Sequence, residues 1–354
     1  MRFRHAVLDA DPPGSHHDVL LTADLTGNGL PDLIVGGKRG EHTLFWYENP
    51  GWQRHDIGAV PNLEPCGVLH DVDGDGRLDV IVGQDVSGTE LYWFQQPADP
   101  REPWTPHLIE NRFRQYHDQA LGDVDGDGAP ELVILSQQAG VLGYYDIPAD
   151  PTAGPWHDSF HEIAQIGEME EGLALADLDH GGRLAIIAGT SIYRRCCEGG
   201  WDVQPVAPGM KQTRCAVSDL NGDGWPDIVL CEGESTSGTL VWFAAPRWRP
   251  HLLAEGLDNP HSLQIADFNG DGLPDIMVAE MGLTCARGDT RAHAPRVLVY
   301  LNRGDGEFVE HVISEGISTH EAKCVDVNGD GRLDIVGKAY QERHIDIWWN
   351  ETEA

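Results

Sequence analysis

A chain of 354 residues, 40% of them hydrophobic, can bury a sizeable core, yet it contains no apolar run of the about 18 residues that a membrane-spanning helix requires, so membrane insertion is excluded. A net charge of −34 without a basic stripe excludes nucleic acid as the main partner. With 42 glycines and 22 prolines the composition suits short strands and tight turns, and the seven irregularly placed cysteines, Cys196 and Cys197 adjacent, are not a disulfide framework.

The chain opens on a short strand, Met1-Arg-Phe-Arg-His-Ala-Val-Leu-Asp9, with no apolar leader. Together with free thiols this points to the cytoplasm; the alternative is secretion with a signal peptide absent from the sequence.

The first of seven similar units follows. Val19-Leu-Leu-Thr-Ala23 leads into the turn Asp24-Leu-Thr-Gly-Asn-Gly-Leu-Pro-Asp32, and Leu33-Ile-Val-Gly36 leaves it. Leu44-Phe-Trp-Tyr47 carries aromatics, and Gln53-Arg-His-Asp-Ile57 is short and contains a histidine. The turn recurs from Asp71, Asp123, Asp177, Asp219, Asp267 and Asp326, at intervals of 47, 52, 54, 42, 48 and 59 residues. Four antiparallel strands at this period make a propeller blade. The expectation is one all-β domain over residues 1–354, a seven-bladed β-propeller of four-stranded antiparallel blades. The last unit stops after its third strand, so the N-terminal strand is expected to complete it and remove an exposed edge. The longest insertion, 282–296, reads as a loop on one face.

The turns carry metal-ligand chemistry. Ca²⁺ takes six to eight oxygens, and alternating Asp and Gly places carboxylates at positions 1, 3 and 5, with position 9 expected to close the shell. The candidate ligands are Asp71, Asp73, Asp75 and Asp79 in turn two, and Asp123, Asp125, Asp127 and Glu131 in turn three. Turn five offers Asp219, Asn221, Asp223 and Asp227; turn six Asp267, Asn269, Asp271 and Asp275; turn seven Asp326, Asn328, Asp330 and Asp334. Turn one is weaker, with Thr26 and Asn28. Turn four has Gly181 and Ala185 where the third and last carboxylates belong, so no metal is expected there. These segments resemble the calcium-binding turns of FG-GAP/VCBS repeat proteins, the family that includes integrin alpha-subunit propellers. The resemblance implies the propeller fold and several structural Ca²⁺ ions rather than an activity.

Counting back from each turn locates the opposite face. Six residues before the leading Asp stand Asp18, Pro65, His117, Glu171, Thr213, His261 and His320; one residue later come Val19, Cys66, Asp118, Gly172, Arg214, Ser262 and Glu321. A one-residue offset in blade one would bring His17 into the first column. The ends of the second strands add Lys38, Asp85, Gln137, Glu232, Glu280 and Lys338, and the chain's few lysines suggest a cationic funnel. A single histidine here would more often cap a neighbouring blade; the set together points to an axial site. His117, His261 and His320, with a glutamate, could hold a further divalent metal. Alternatively a histidine or Tyr116 acts as general base, with Arg214 polarising a carbonyl. The funnel is similar to those of propeller-fold carbohydrate lyases and of the propeller domain of aldos-2-ulose dehydratases, which implies axial histidines and a metal. The catalytic candidates are His17, Tyr116, His117, Glu171, Arg214, His261, His320 and Lys338. The function expected is a lyase or dehydratase performing β-elimination on a uronate or keto-sugar held in the funnel. The alternative is a non-catalytic, calcium-stabilised propeller that binds a glycan or protein ligand.

Overall fold

The computed structural model describes every residue except 64–65, 168, 197–198, 283–292 and 353–354. Pro65, Cys197 and most of the 282–296 insertion therefore lie outside the described residues. Among the described residues, twenty-eight strands form seven four-stranded antiparallel sheets, with one short 3-10 turn at His157–Ser159. Six sheets follow chain order. The seventh joins Glu321–Val325, Asp334–Lys338 and Ile345–Asn350 to the N-terminal strand Phe3–Asp9, which closes the ring as expected.

The core consists of seven apolar clusters, each shared by two adjacent blades. Blades one and two share Val19, Ile34, Trp46, Val80 and Phe94, and blades seven and one share Leu20, Leu33, Val35, Phe45, Val336 and Ile347. Side chains alternate along a strand, so Leu33 and Val35 face one neighbour while Ile34 faces the other. This is why the second strand of a blade reads as a continuous apolar run: both of its faces are covered.

The histidines of the fourth strands belong to this architecture. His55, His107, His161 and His251 stand opposite Trp46, Trp93, Tyr144 and Trp242 across the strand pair. The rings stack with centroids 4.6, 4.3, 4.7 and 4.2 Å apart. His5 stands opposite Trp348 across the closing strand pair, its ring tilted by 39° with centroids 5.3 Å apart, so the N-terminal strand places a histidine in the corresponding slot of blade seven.

Candidate functional site

The funnel is built by irregularities in the inner strands. Pairing of the first and second strands slips between His17 and Val19, between Tyr116 and Asp118, and between Pro260 and Ser262. The extra residue in each case is Asp18, His117 or His261. A bulge re-aims its side chain, and these three line one polar cavity of about 380 Å³ together with Glu171, His320, Gln137 and Tyr340. Two residues upstream of each bulge the backbone is left-handed, with φ of 57° at His16, 61° at Gln115 and 51° at Asn259; Met169, two before Glu171, has 67°. Such conformations are uncommon outside glycine and concentrate at functional sites.

A second cavity of about 190 Å³ lies on the other side of Arg214 and His261. The second sequence column lines it, through Cys66, Asp118, Gly172, Arg214 and Glu321. His261 lines both axial spaces and, with Arg214 behind it, forms the floor between them; Arg214 itself lines only the second.

The floor is a charge network. His117 Nδ1 lies 2.8 Å from Asp118 Oδ2 and its Nε2 lies 3.1 Å from Glu171 Oε2. Burial alone would lower the His117 pKa, but the two carboxylates outweigh it and hold the ring protonated, well above its ordinary value. Glu171 Oε1 accepts from the side-chain amides of Gln137 at 3.0 Å and Gln212 at 3.2 Å. The Arg214 guanidinium lies 3.4 Å from Glu171 and 3.8 Å from Asp118, and it donates to His261 Nε2 and, at 2.9 Å through Nε, to the His261 carbonyl. His261 Nδ1 lies 3.0 Å from the His320 carbonyl, where it donates. An imidazole that accepts through Nε2 and donates through Nδ1 is neutral. Burial and the Arg214 charge likewise push its pKa well below the ordinary value.

His320 is the second neutral ring. It stacks on His261 with centroids 4.0 Å apart, and its Nδ1 contacts Lys338 Nζ at 2.8 Å. Burial, His261 and Lys338 together lower its pKa well below the usual range. Tyr340 covers its other side at 4.9 Å.

Several sequence candidates sit elsewhere. His17 is fully buried; its Nε2 bonds the Pro13 carbonyl at 2.8 Å and its ring faces Phe45, because the bulge falls on Asp18 instead. Tyr116 belongs to the core shared by blades two and three, where burial pushes its hydroxyl far above the range of a base. Lys338 is fully buried behind His320 and does not line the cavity; burial brings its pKa down to about 7. His320 turns to Lys338 rather than joining a metal-ligand set: the donor atoms that converge within 4.8 Å are those of His117, Glu171 and His261. Glu232 bonds Thr239, and Glu280 bonds Arg296 and His293, so neither enters the funnel. The funnel is not cationic either, since Lys38 pairs with Asp18 and Asp85 at 2.7 Å each and Lys323 with Glu321 at 2.6 Å. The glutamines Gln115 and Gln212 and Tyr340 line the cavity without having been singled out; their only sequence signal was their place beside the two columns.

On the opposite face each leading Asp accepts backbone N–H groups from its own turn, as Asp71 does from Asp75 at 2.9 Å and Gly76 at 2.8 Å, with φ of +74° and +89° at Gly74 and Gly76. Position 9 has a task besides closing a shell. Asp79 is buried and bridges the N–H groups of Val72 and Gln96 at 3.0 and 2.8 Å, tying the turn to the third strand; Asp32, Asp227, Asp275 and Asp334 do the same. Carboxylate oxygens still converge within 4.8 Å in turn two (Asp71, Asp73, Asp79) and turn three (Asp123, Asp125, Asp127, Glu131). In turns five to seven the Asn at position 3 leans its amide onto the position-5 carboxylate, at 3.1, 2.8 and 3.0 Å.

The model of the family described as FG-GAP-like repeat matches residues 71–134 and 219–278. A search of curated proteins finds no match. Among solved structures, BBS1N in complex with ARL6DN is similar at 13% identity and a TM-score of 0.59, over 100% of this chain and 99% of that one. Virginiamycin B lyase from Staphylococcus aureus is similar at 10% identity and a TM-score of 0.59, over 98% and 99%. An ancestral GH74 enzyme aligns at 8% identity and a TM-score of 0.65, over 97% of this chain but 49% of its own. These likenesses concern the fold. The chain carries FG-GAP-like repeats arranged as a seven-bladed β-propeller.

Proposed function

We propose that the funnel is the active site of a carbon–oxygen lyase acting on a carboxylated or keto sugar by β-elimination. The observation that carries this reading is that one polar cavity of about 380 Å³ is lined by His117, flanked by Asp118 and Glu171 at 2.8 and 3.1 Å, and by His320, stacked on His261 beside Lys338; the two carboxylates raise the pKa of the first, and burial with the neighbouring His261 and Lys338 lowers that of the second. Two titratable groups whose environments push their pKa values apart are suited to acid and base roles. His320 is the base for a proton beside the carbonyl: with its Nδ1–H donated to the neutral amine of Lys338 at 2.8 Å, Nε2 keeps the free lone pair. His117 is the acid: its Nε2–H, directed at Glu171 at 3.1 Å before a ligand enters, is the proton passed to the departing oxygen, while Nδ1–H stays on Asp118. Arg214, kept cationic by Glu171 and Asp118, lies behind His261 rather than in the cavity lining, and its charge favours the enolate that forms between these steps. Enzymes are among the propellers of this fold, including the GH74 enzyme and the lyase above. A screen of uronates and keto-sugars for the ultraviolet absorbance of an unsaturated product tests the reading. Turnover unchanged in His117→Ala and His320→Ala would sink it; binding without turnover in the native chain would favour the non-catalytic alternative.

The donor set His117, Glu171 and His261 bears on a further divalent metal at the axis. Arg214 lies among these donors and already engages His261 Nε2, the atom a metal would take. The residues as arranged do not fit a metal, and no step is routed through one. On the other face, we infer structural Ca²⁺ in the turns, supported by the converging oxygens of turns two and three. Metal analysis before and after mild chelation tests both statements.

A further inference from the structure

The fourth turn has lost its carboxylates at positions 5 and 9, and a different surface stands in their place. A cavity of about 280 Å³ opens there, sharing no lining residue with either axial space. Arg183, Arg194 and Arg195 all line it. In a chain of net charge −34, three guanidinium groups around one small cavity are unusual company.

The reason lies in the repeat. Position 7 is also arginine in turns two and seven, and there it folds back onto the carboxylate at position 5: Arg77 onto Asp75 and Arg332 onto Asp330. In turn four position 5 is Gly181, so Arg183 has no acidic residue to fold onto and remains exposed. Arg194 donates to Gln204 Oε1 at 2.8 Å, and Arg195 packs over the Trp201 ring at 5.5 Å. None of the three pairs with a carboxylate among the described residues. The one acid in the lining, Asp179, turns an oxygen to the Gly181 N–H at 3.0 Å. A Cβ at Gly181 would meet this carboxylate oxygen at 2.7 Å, so a side chain there would require Asp179 to turn aside. The turn keeps its shape nonetheless, since Asp177 still accepts from Gly181 and Gly182 at 3.0 and 2.8 Å.

We propose that turn four is an oxyanion site, in which Arg183, Arg194 and Arg195 bind a phosphate or sulfate group of a small ligand. Guanidinium groups suit this ligand because their forked donors match tetrahedral oxyanions. The site is independent of the axial chemistry proposed above.

Calorimetric titration of the full chain with sodium sulfate, and separately with sodium phosphate, at low ionic strength tests the proposal. Sulfate is the primary probe because it does not compete as phosphate does for turn-bound calcium. The native chain and the control Arg54→Ala, an exposed arginine elsewhere, are expected to bind sulfate alike. Arg183→Ala is expected to bind about tenfold more weakly, and the double variant Arg183→Ala/Arg194→Ala more weakly again, as the loss of charge-assisted bonds dictates. Acetate, a planar monoanion, should bind less tightly than either tetrahedral ion. Arg183 has no partner to lose among the described residues, so an unchanged melting temperature will show the variant folded. Equal sulfate affinity in the native chain and the double variant, or no measurable binding of either ion to the native chain, would overturn the proposal.

Discussion

Asp118 follows His117 directly in the chain, yet its Oδ2 lies 2.8 Å from His117 Nδ1. In a regular strand neighbouring side chains point to opposite faces. Here the register slips between Tyr116 and Asp118, and the bulge turns both side chains toward the axis. The carboxylate also accepts the Gly172 N–H at 3.0 Å, so it is anchored from blade four while it orients the ring in blade three.

Asp118→Asn should therefore lower the His117 pKa. That pKa is raised above 6.5 in the folded chain, so the pairing stabilises fully below that value and is lost as pH rises through the folded-state pKa. The basic limb of kcat/KM against pH, which reports the loss of the acid, should move to lower pH in the variant. An unmoved limb with lowered kcat would assign the acid role elsewhere.

Arg214 is the countercharge for Asp118 and Glu171. Arg214→Met leaves carboxylates buried without it and should cost roughly 3–5 kcal/mol in urea unfolding. Arg214→Lys should restore little activity, since an ammonium cannot reproduce the contacts of the planar fork with Glu171 and His261.

Lys338 offers a test of burial that is read in stability rather than in turnover. Its folded-state pKa is about 7 against an ordinary 10.5, so between these values the unfolded chain binds more protons than the folded one. Stability should rise with pH across that window. Lys338→Met should remove this contribution, which melting temperatures measured from neutral pH upward in both chains will show. Equal slopes would mean that Lys338 remains charged.

Calcium should contribute to stability through the turns. With free Ca²⁺ at a hundredfold excess over Kd, each site that binds only the folded chain adds about 2.7 kcal/mol. Chelation should lower the melting temperature of the native chain. Asp71→Ala should lower it in calcium and reduce the further drop on chelation. Asp179→Ala in turn four should leave that drop unchanged. A melting temperature indifferent to chelator would remove calcium from the account.

The repeat was legible because it is local. Each turn specifies its own conformation through Asp and Gly at fixed spacing, and short apolar runs flank it in the same order each time, so blade number, strand order and the closing N-terminal strand could all be counted along the chain. The inner-strand columns were legible for the same reason, as a fixed offset from each turn; they placed His117, Glu171, Arg214, His261 and His320 on the axis. Which side chain faces which cavity was not. A bulge moves a strand by one residue, and whether it falls on His17 or Asp18, or on Tyr116 or His117, depends on how one blade packs against the next. The seating of Arg214 among His117, Glu171 and His261 likewise joins side chains from blades three, four, five and six, a convergence of residues distant in sequence that only ring closure brings about.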